Sequence, residues 1–339
     1  MDEKIDFVIA WVDGSDINWQ KDKEKYTGIK VDIDICRYRD WDLLRYWFRG
    51  VEKFAPWVNK IHFVTYGHLP EWLNTNHPKL NIVKHEDFIP KQYLPTFNSH
   101  TIELNFHRIK GLAEKFVYFN DDVFLLNYVN ERDFFTGKKV CDSLILDVLK
   151  FDSKSIAFID SNNIAIINDY FDKKEFVIKN LSELFNLNIG IKKIIKNLLL
   201  IPFPYFTGFY NNHITSSFFK STYEFAWKNY YEVLDKTCKC KIRERTNVNQ
   251  WLIKDLQFVK GLVKNRKSSF GKRINIRNYN IDICINAIKE QKVKILCIND
   301  NELLTNSEFE EINNNIHKAF KNILNFQSLY EKKSLEKIL

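Results

Sequence analysis

Phe116-Val117-Tyr118-Phe119-Asn120-Asp121-Asp122-Val123-Phe124 is the stretch that decides how this chain is read. An apolar run of strand character ends in Asn-Asp-Asp and then resumes as apolar sequence. Two adjacent carboxylates at the end of a core strand repel each other, and taking them out of bulk water costs several kcal/mol per ion unless a positive charge sits beside them. A divalent cation is the usual answer. Oxygen-only ligands suit Mg²⁺ or Mn²⁺, which commonly share their coordination sphere with substrate phosphates. A solvated turn after the strand would also favour Asn and Asp, so the segment alone leaves both readings open.

Working outward, strands alternate with helical stretches. Ile5 to Val12 is a short apolar run ending in Asp13-Gly14-Ser15-Asp16. Trp41 to Phe54 carries Leu43, Leu44, Trp47, Phe48 and Val51 at helical spacing, with Arg45, Arg49 and Lys53 on another face. Lys60 to Thr65, closed by Gly67, and Leu80 to Lys84 are further strands. Asn105 to Ala113 reads as a helix with Phe106, Ile109 and Leu112 on its apolar side. This order predicts an α/β fold with a mostly parallel sheet covered by helices. Ligands bind such sheets at the carboxyl ends of the strands, where Asp13, Thr65, Gly67, Asn120, Asp121 and Asp122 fall.

Further along, Lys150 to Ile167 reads as short strands. Lys179 to Leu200 sets Lys179, Lys192, Lys193 and Lys196 against Ile189, Ile191, Ile194, Ile195, Leu198 and Leu199. Such a basic amphipathic stretch suits an anionic membrane surface. The blander expectation, which the pattern favours, is a helix packing its apolar face on the core. Ser221 to Leu262 is helical, interrupted over Thr237 to Asn249. Lys292 to Ile298 is an apolar strand ending in Asn299-Asp300-Asn301, a second acidic strand end. Ser307 with Glu310 reads as a capping box for a terminal helix. Without a repeat or linker, the expectation is a single domain over 1–339.

Composition narrows the classes. With 339 residues, 45% of them hydrophobic, the chain can bury a sizeable core. Ten Gly and seven Pro exclude fibrous and disordered classes. The net charge of +8 suits an anionic substrate or surface, but no Lys/Arg stripe or nucleic-acid motif accompanies it, so no nucleic-acid partner is expected. Scattered cysteines (Cys36, Cys141, Cys238, Cys240, Cys284, Cys297) and a charged start lacking a signal sequence suggest reduced thiols in the cytoplasm. No run of 18 apolar residues occurs, so no span is expected.

Four blocks in order resemble the Stealth family of sugar-1-phosphate transferases. The first is Asp6-Phe7-Val8-Ile9-Ala10-Trp11-Val12-Asp13-Gly14-Ser15-Asp16. The second runs from Arg37-Tyr38-Arg39-Asp40 through Arg45, Arg49, Ala55-Pro56-Trp57, Thr65, Trp72-Leu73, Leu94-Pro95-Thr96-Phe97-Asn98-Ser99, Glu103 and His107-Arg108 to Asn120-Asp121-Asp122. The third holds His213, Lys220-Ser221-Thr222, Lys241-Ile242-Arg243 and Asn247-Val248-Asn249-Gln250, and the fourth is Cys297-Ile298-Asn299-Asp300-Asn301. The resemblance implies a Rossmann-like nucleotide-sugar transferase core with helical insertions and C-terminal helices, in one catalytic domain with 1–135 as the nucleotide-sugar and metal half, 136–210 as a variable insertion and 211–339 as the acceptor and catalytic half. It also implies transfer of a sugar 1-phosphate from a nucleotide sugar, usually UDP-linked, to a hydroxyl of an acceptor glycan in capsular or cell-surface polysaccharide synthesis. UMP would leave. A metal-dependent glycosyltransferase of GT-A type releasing UDP is the alternative, and a non-catalytic glycan-binding module is a weaker third.

Residue chemistry fits phosphoryl transfer, which asks for charge neutralisation and an in-line nucleophile. Asp121, Asp122 and Asp300 are the candidate metal ligands. His213 is the candidate base, with His107 behind it, and Arg243 is its candidate partner at the phosphate. Asp13, Arg39, Arg45, Arg49, Thr65, Arg108 and Asn120 are candidates for donor binding, the arginines for their forked geometry. Arg49 could instead pair with Glu52 or Glu103. Glu103, His107, Lys220, Asn249 and Asn299 are candidate supporting residues. Trp11, Trp57 and Trp72 read as core. Peripheral contact with the cytoplasmic face of the membrane and with other capsule-synthesis proteins belongs to the same expectation.

Overall fold

The computed structural model describes residues 4–28, 40–151, 157–300 and 304–333. Its central sheet has five strands in the order β3-β2-β1-β4-β8: β1 Ile5–Ala10, β2 Ile61–Thr65, β3 Leu80–Lys84, β4 Lys115–Asn120 and β8 Ser216–Phe219. The first four are parallel, and β8 runs antiparallel to β4 with Lys115 opposite Phe219 and Tyr118 opposite Ser216. The α/β fold with a mostly parallel sheet stands. Because both faces of the sheet are covered, its strands are continuously apolar rather than alternating: Phe7, Val8, Ile9, Ile61, Phe63, Phe116, Val117 and Phe119 are buried. The chain winds outward from β1 to β2 and β3, then returns to place β4 on the other side of β1. That reversal makes a crevice at the carboxyl ends of β1 and β4, and Asp13 and Asp121 lie just beyond those ends.

Two small sheets complete the core. One orders β10 (Gly271–Asn275), β11 (Ile295–Asn299) and β5 (Val123–Leu125). The other orders β6 (Phe135–Thr136), β7 (Lys139–Asp142) and β9 (Val263–Asn265). The helix Leu44–Phe54 lies so close to β5 that a Cβ on Gly50 would sit 3.1 Å from the Leu125 carbonyl oxygen. Buried apolar residues from Ile5 to Tyr330 form one continuous cluster, and Trp11, Trp57 and Trp72 pack against it half-buried.

Several local expectations are corrected. Asn105 to Ala113 is not a helix; the helix comes earlier, at Ser99–Leu104, followed by a 3₁₀ turn at Phe106–Arg108. The stretch read as strands up to Ile167 holds the helix Ala157–Tyr170. Its β-branched isoleucines suggested strands, but Ile159, Asn163, Ile166 and Ile167 are buried at helical spacing and the helix packs on Gln250–Val259. The terminal helix Asn306–Ile323 is capped by Thr305 with Glu308, two residues ahead of the expected pair.

The polar buried residue of β1, Asp6, sits at the end of the sheet away from the crevice. It accepts from Asn59 Nδ2 at 2.6 Å and the Ala113 N–H at 2.8 Å, with His62 Nε2 3.0 Å away. Burial disfavours its charge, yet the hydrogen bonds from His62, Asn59 and Ala113 prevail and hold the carboxyl below its ordinary value. Its stabilising effect is present above the unfolded-state value and is lost as the pH falls through the folded one. Asp6→Ala strands the buried His62 and two half-buried donors, Asn59 and the Ala113 N–H, so urea denaturation should report a loss of about 3–5 kcal/mol at pH 7. The deficit relative to wild type should shrink below about pH 3–4, where the Asp6 carboxyl is itself protonated.

Candidate active site

The crevice is built from both sides. After β1, the Asp13 N–H donates to His68 Nε2 at 2.7 Å, and the Asp13 carboxylate accepts from the Ser15 N–H and hydroxyl at 2.8 and 2.6 Å. Thr65 is buried and donates to the His68 carbonyl at 2.7 Å, so it shapes that turn rather than facing the crevice.

After β4, Asp121 and Asp122 make the turn into β5. Their neighbour was not visible from the sequence. β5 pairs antiparallel with β11, Val123 lying opposite Cys297, and the Ile298 N–H donates to the Asp122 carbonyl at 2.8 Å. Asn299 closes β11 and Asp300 follows it on the side where Asp121 and Asp122 precede β5, so the two acidic segments lie at the same end of this small sheet. Asp300 also accepts from Trp41 Nε1 at 3.2 Å, and Asn299 donates to Asn275 Oδ1 at 3.0 Å.

The carboxylates are electrostatically loaded. Burial pushes Asp121 up to about 6, with Asp40 adding to the rise and Arg243 opposing it. Burial and then the Asp121 charge push Asp122 up to about 7. Asp40 is itself raised, by burial first and then by Asp42 and Asp13. Asp122 Oδ2 accepts from the Cys297 thiol at 3.3 Å, while its Oδ1 is buried with no hydrogen-bond partner. A cation fits this arrangement, because it would satisfy the orphaned oxygen and offset the clustered charge. Asp122, His213 and Cys297 offer ligand atoms within 4.8 Å of one another. Burial and Asp122 raise the Cys297 thiol far above its ordinary value, so it stays a neutral donor rather than a thiolate ligand. Oxygen chemistry, and hence Mg²⁺ or Mn²⁺, suits the donor set better than a soft metal.

His213 enters because β8 is antiparallel: the residues leading into Ser216 approach the Asp122 end of β4. His213 adopts φ +48°, its N–H donates to Asn211 Oδ1 at 2.9 Å, and its ring stands edge-on to Trp251 at 6.0 Å. Burial, then the charges of Arg273, Lys254 and Arg243, lower it to about 4, so the imidazole is neutral. Arg243 donates to Ser99 Oγ from Nε at 3.0 Å and Nη2 at 2.7 Å. Its charge reaches both Asp121 and Glu103. Glu103 is pushed by burial up to about 7 and accepts from the Tyr118 hydroxyl at 3.3 Å. A cleft of about 320 Å³ opens from His213 between Trp251, Arg273, Asp160 and Tyr210.

Asp13, Asn120, Asp121, Asp122, His213, Arg243, Asn299, Asp300 and Glu103 thus gather at one end of the sheet. Other candidates do not. Arg49 pairs with neither Glu52 nor Glu103; it grips Glu331 through Nε at 2.6 Å and Nη2 at 2.9 Å, and Arg45 lies 3.7 Å from the same carboxylate. Arg108 bonds Asn105 and stacks over Trp227. The Lys220 N–H donates to the Glu114 carbonyl at 2.8 Å, at the opposite end of β4. Lys220 and Arg108 both act on His107, a buried imidazole lowered to about 3 chiefly by burial. Asn249 caps the helix Gln250–Val259 and bonds Asn163. Arg39 and Asn301 lie outside the described residues. Sequence reasoning missed Asp40, His68, Trp251 and Arg273. Of these only Asp40 stood in a quoted block; Arg273 reaches Asp122 and His213 solely through the pairing of β10 with β11.

Residues 3–31 match the family signature described as Stealth protein CR1, conserved region 1, and residues 37–143 match Stealth protein CR2, conserved region 2. The capsular polysaccharide phosphotransferase WcwK of Streptococcus pneumoniae is 44% identical over 335 residues, 98% of this chain and 99% of that one. The receptor polysaccharide phosphotransferase WefC of Streptococcus gordonii is 36% identical over 98% of this chain and all of its own length. The exopolysaccharide phosphotransferase cps2G of Lactiplantibacillus plantarum is 34% identical over 97% of this chain and 96% of its own. Among solved structures, the galactosyltransferase LgtC with donor and acceptor sugar analogues covers 92% of this chain and 95% of its own, at TM-score 0.38 and 12% identity. With full-length relatives at this identity, and with both conserved regions matched around the crevice, the chain belongs to the Stealth family of polysaccharide phosphotransferases.

Proposed function

We propose that this chain transfers a sugar 1-phosphate from a UDP-linked sugar to a hydroxyl of an acceptor glycan, building a phosphodiester into a capsular or other cell-surface polysaccharide. The observation that carries the reading is the buried Asp121-Asp122 pair, with an unpartnered Asp122 oxygen, beside a neutral His213 and the Arg243 guanidinium, with Asp300 at the same end of the small sheet. Bound Mg²⁺ or Mn²⁺, held by those three carboxylates, would supply charge neutralisation for the donor diphosphate.

The remaining roles belong to the chain. Sheet order sets the β1 turn with Asp13 and His68 on one side of Asp121 and the His213 cleft on the other. An in-line displacement needs nucleophile and leaving group on opposite sides of phosphorus. The nucleoside accordingly belongs over β1 and the acceptor hydroxyl in the cleft. The acceptor oxygen bonds to the β-phosphorus, the bond from that phosphorus to the bridging oxygen breaks, and UMP leaves. His213 takes the hydroxyl proton, Arg243 faces the transferring phosphoryl oxygens, and the sugar's C1–oxygen bond survives.

Product analysis tests this against the glycosyltransferase alternative. Chromatography should find UMP in step with turnover, and ³¹P NMR should find a diester in the product with the donor's anomeric configuration kept. UDP as the sole nucleotide, with no phosphorus in the new linkage, would replace this reading. Excess EDTA should abolish turnover, and Mg²⁺ or Mn²⁺ should restore it.

A further inference from the structure

The helix Ile191–Leu200 is inside out. Its polar Asn197 points inward: Oδ1 accepts from the Leu146 N–H at 2.8 Å and Nδ2 donates to the Leu184 carbonyl at 2.7 Å. Ile191, Ile195, Leu198 and Leu199 share one outward face at helical spacing, and each is more than half exposed. Leu187, on the turn that leads into the helix, is 79% exposed. The expectation that this stretch packs its apolar face on the core holds for Ile189 and Leu200 and is corrected for Ile191, Ile195, Leu198 and Leu199. Isolated exposed leucines are ordinary, but a row on one helix face marks an interaction surface.

Charge selects the partner. Lys192, Lys193 and Lys196 punctuate the helix, and no Asp or Glu occurs from Leu187 to Tyr205. A second copy of the same surface would set lysines against lysines. An anionic bilayer takes the apolar side chains into the acyl boundary and the exposed Lys192 among its headgroups, with Lys193 and Lys196 flanking the face. Ten residues make a helix of about 15 Å, too short to cross a bilayer and long enough to lie in its surface; among the described residues no helix is long and apolar enough to span.

We propose that this face docks peripherally on an anionic lipid surface. Docking goes beyond the catalytic reading and does not depend on it. The two surfaces adjoin, however: Lys196 pairs with Asp147 and Lys193 sits 4.9 Å from the Tyr210 ring, and both Asp147 and Tyr210 line the His213 cleft. Docking thus brings the cleft mouth to the membrane, where an acceptor glycan carried on a lipid would be presented.

Vesicle flotation of the full-length protein tests this. The protein should float with vesicles of phosphatidylglycerol and phosphatidylcholine and not with phosphatidylcholine alone, and added salt should weaken the binding. Ile195→Asp with Leu199→Asp should lower partitioning by about tenfold or more, and Lys192→Gln by a few-fold. Turnover on a short soluble acceptor should stay unchanged, which also reports the fold. Should the double variant melt early, Leu187→Ser, on an exposed turn, carries the same measurement. Absence of wild-type binding to anionic vesicles, or equal binding by all variants, overturns the proposal. So does a concentration-dependent dimer in sedimentation that Leu199→Asp abolishes, which would assign the face to a second copy.

Discussion

Asp122→Asn is expected to lower turnover by about 10²- to 10³-fold or more, the scale of losing a charge-stabilising group at a phosphoryl centre, while making the metal-free protein more stable. Both halves follow from one fact. The Asp122 carboxyl is raised to about 7 by burial and by Asp121, and its Oδ1 has no partner. A carboxyl raised in the folded state costs stability wherever the unfolded chain ionises it. The penalty starts above the unfolded value near 4 and is complete above about 7. Removing that charge should therefore return on the order of a few kcal/mol near neutral pH and almost nothing at pH 4. Asp300→Asn should match the loss of turnover, because the pairing of β5 with β11 puts it at the same end of the small sheet as Asp122. The measurements are turnover and melting temperature across pH 4 to 8. Near-normal turnover for either variant would remove that carboxylate from the chemistry. A fall in stability for Asp122→Asn at pH 8 would mean the charge is already compensated within the protein.

His213→Ala is expected to remove about 10²- to 10⁴-fold of the rate, the usual contribution of a positioned base, while leaving UDP-sugar binding nearly intact. The imidazole is neutral near pH 7 because burial and the charges of Arg273, Lys254 and Arg243 disfavour its cation, so it is ready to accept a proton. Arg243 divides the effects differently. Its guanidinium rests on Ser99 and acts on Asp121, so Arg243→Ala should weaken donor binding, turnover or both, and Arg243→Lys should recover little because the fork is lost. Calorimetry of donor binding beside single-turnover kinetics separates the cases. Near-normal transfer by His213→Ala at saturating acceptor would send the search for the base to Glu103, buried and raised to about 7 close to Arg243. His107 is no longer a candidate, since it keeps company with Lys220 at the far end of the sheet.

The parts of this molecule that could be read from sequence are those written locally. β1, β2, β4 and β11 were legible because each is an apolar run cut off by Asp, Asn or Gly, and the order of runs and helices implies a parallel sheet. That Asp122 and Asp300 share one end of a small sheet was not legible, because strand pairing is a property that neither segment contains. The direction of β8 was equally hidden, and it alone sends His213 to the crevice and Lys220 away from it. Arg49 misled for a related reason: its partner Glu331 lies 282 positions away, and helical spacing offered nearer carboxylates. In the helix Ala157–Tyr170, branched isoleucines carried a strand preference that packing against Gln250–Val259 overruled. The inside-out helix misled most usefully, since burial of an apolar face is the rule that an interfacial segment breaks.

The pairing of β5 with β11 also sets a timetable for synthesis. β5 ends at Leu125 and its partner begins at Ile295. At ribosomal speeds of about 5–20 residues per second, roughly 10–30 s of translation separate the two. Through that interval the nascent chain carries an open strand edge directly beside two adjacent carboxylates. An open edge is a template for wrong partners, and the like charges at its start discourage another chain from settling there. The acidic pair proposed to hold the metal thus guards the unfinished sheet while the polypeptide is still being made.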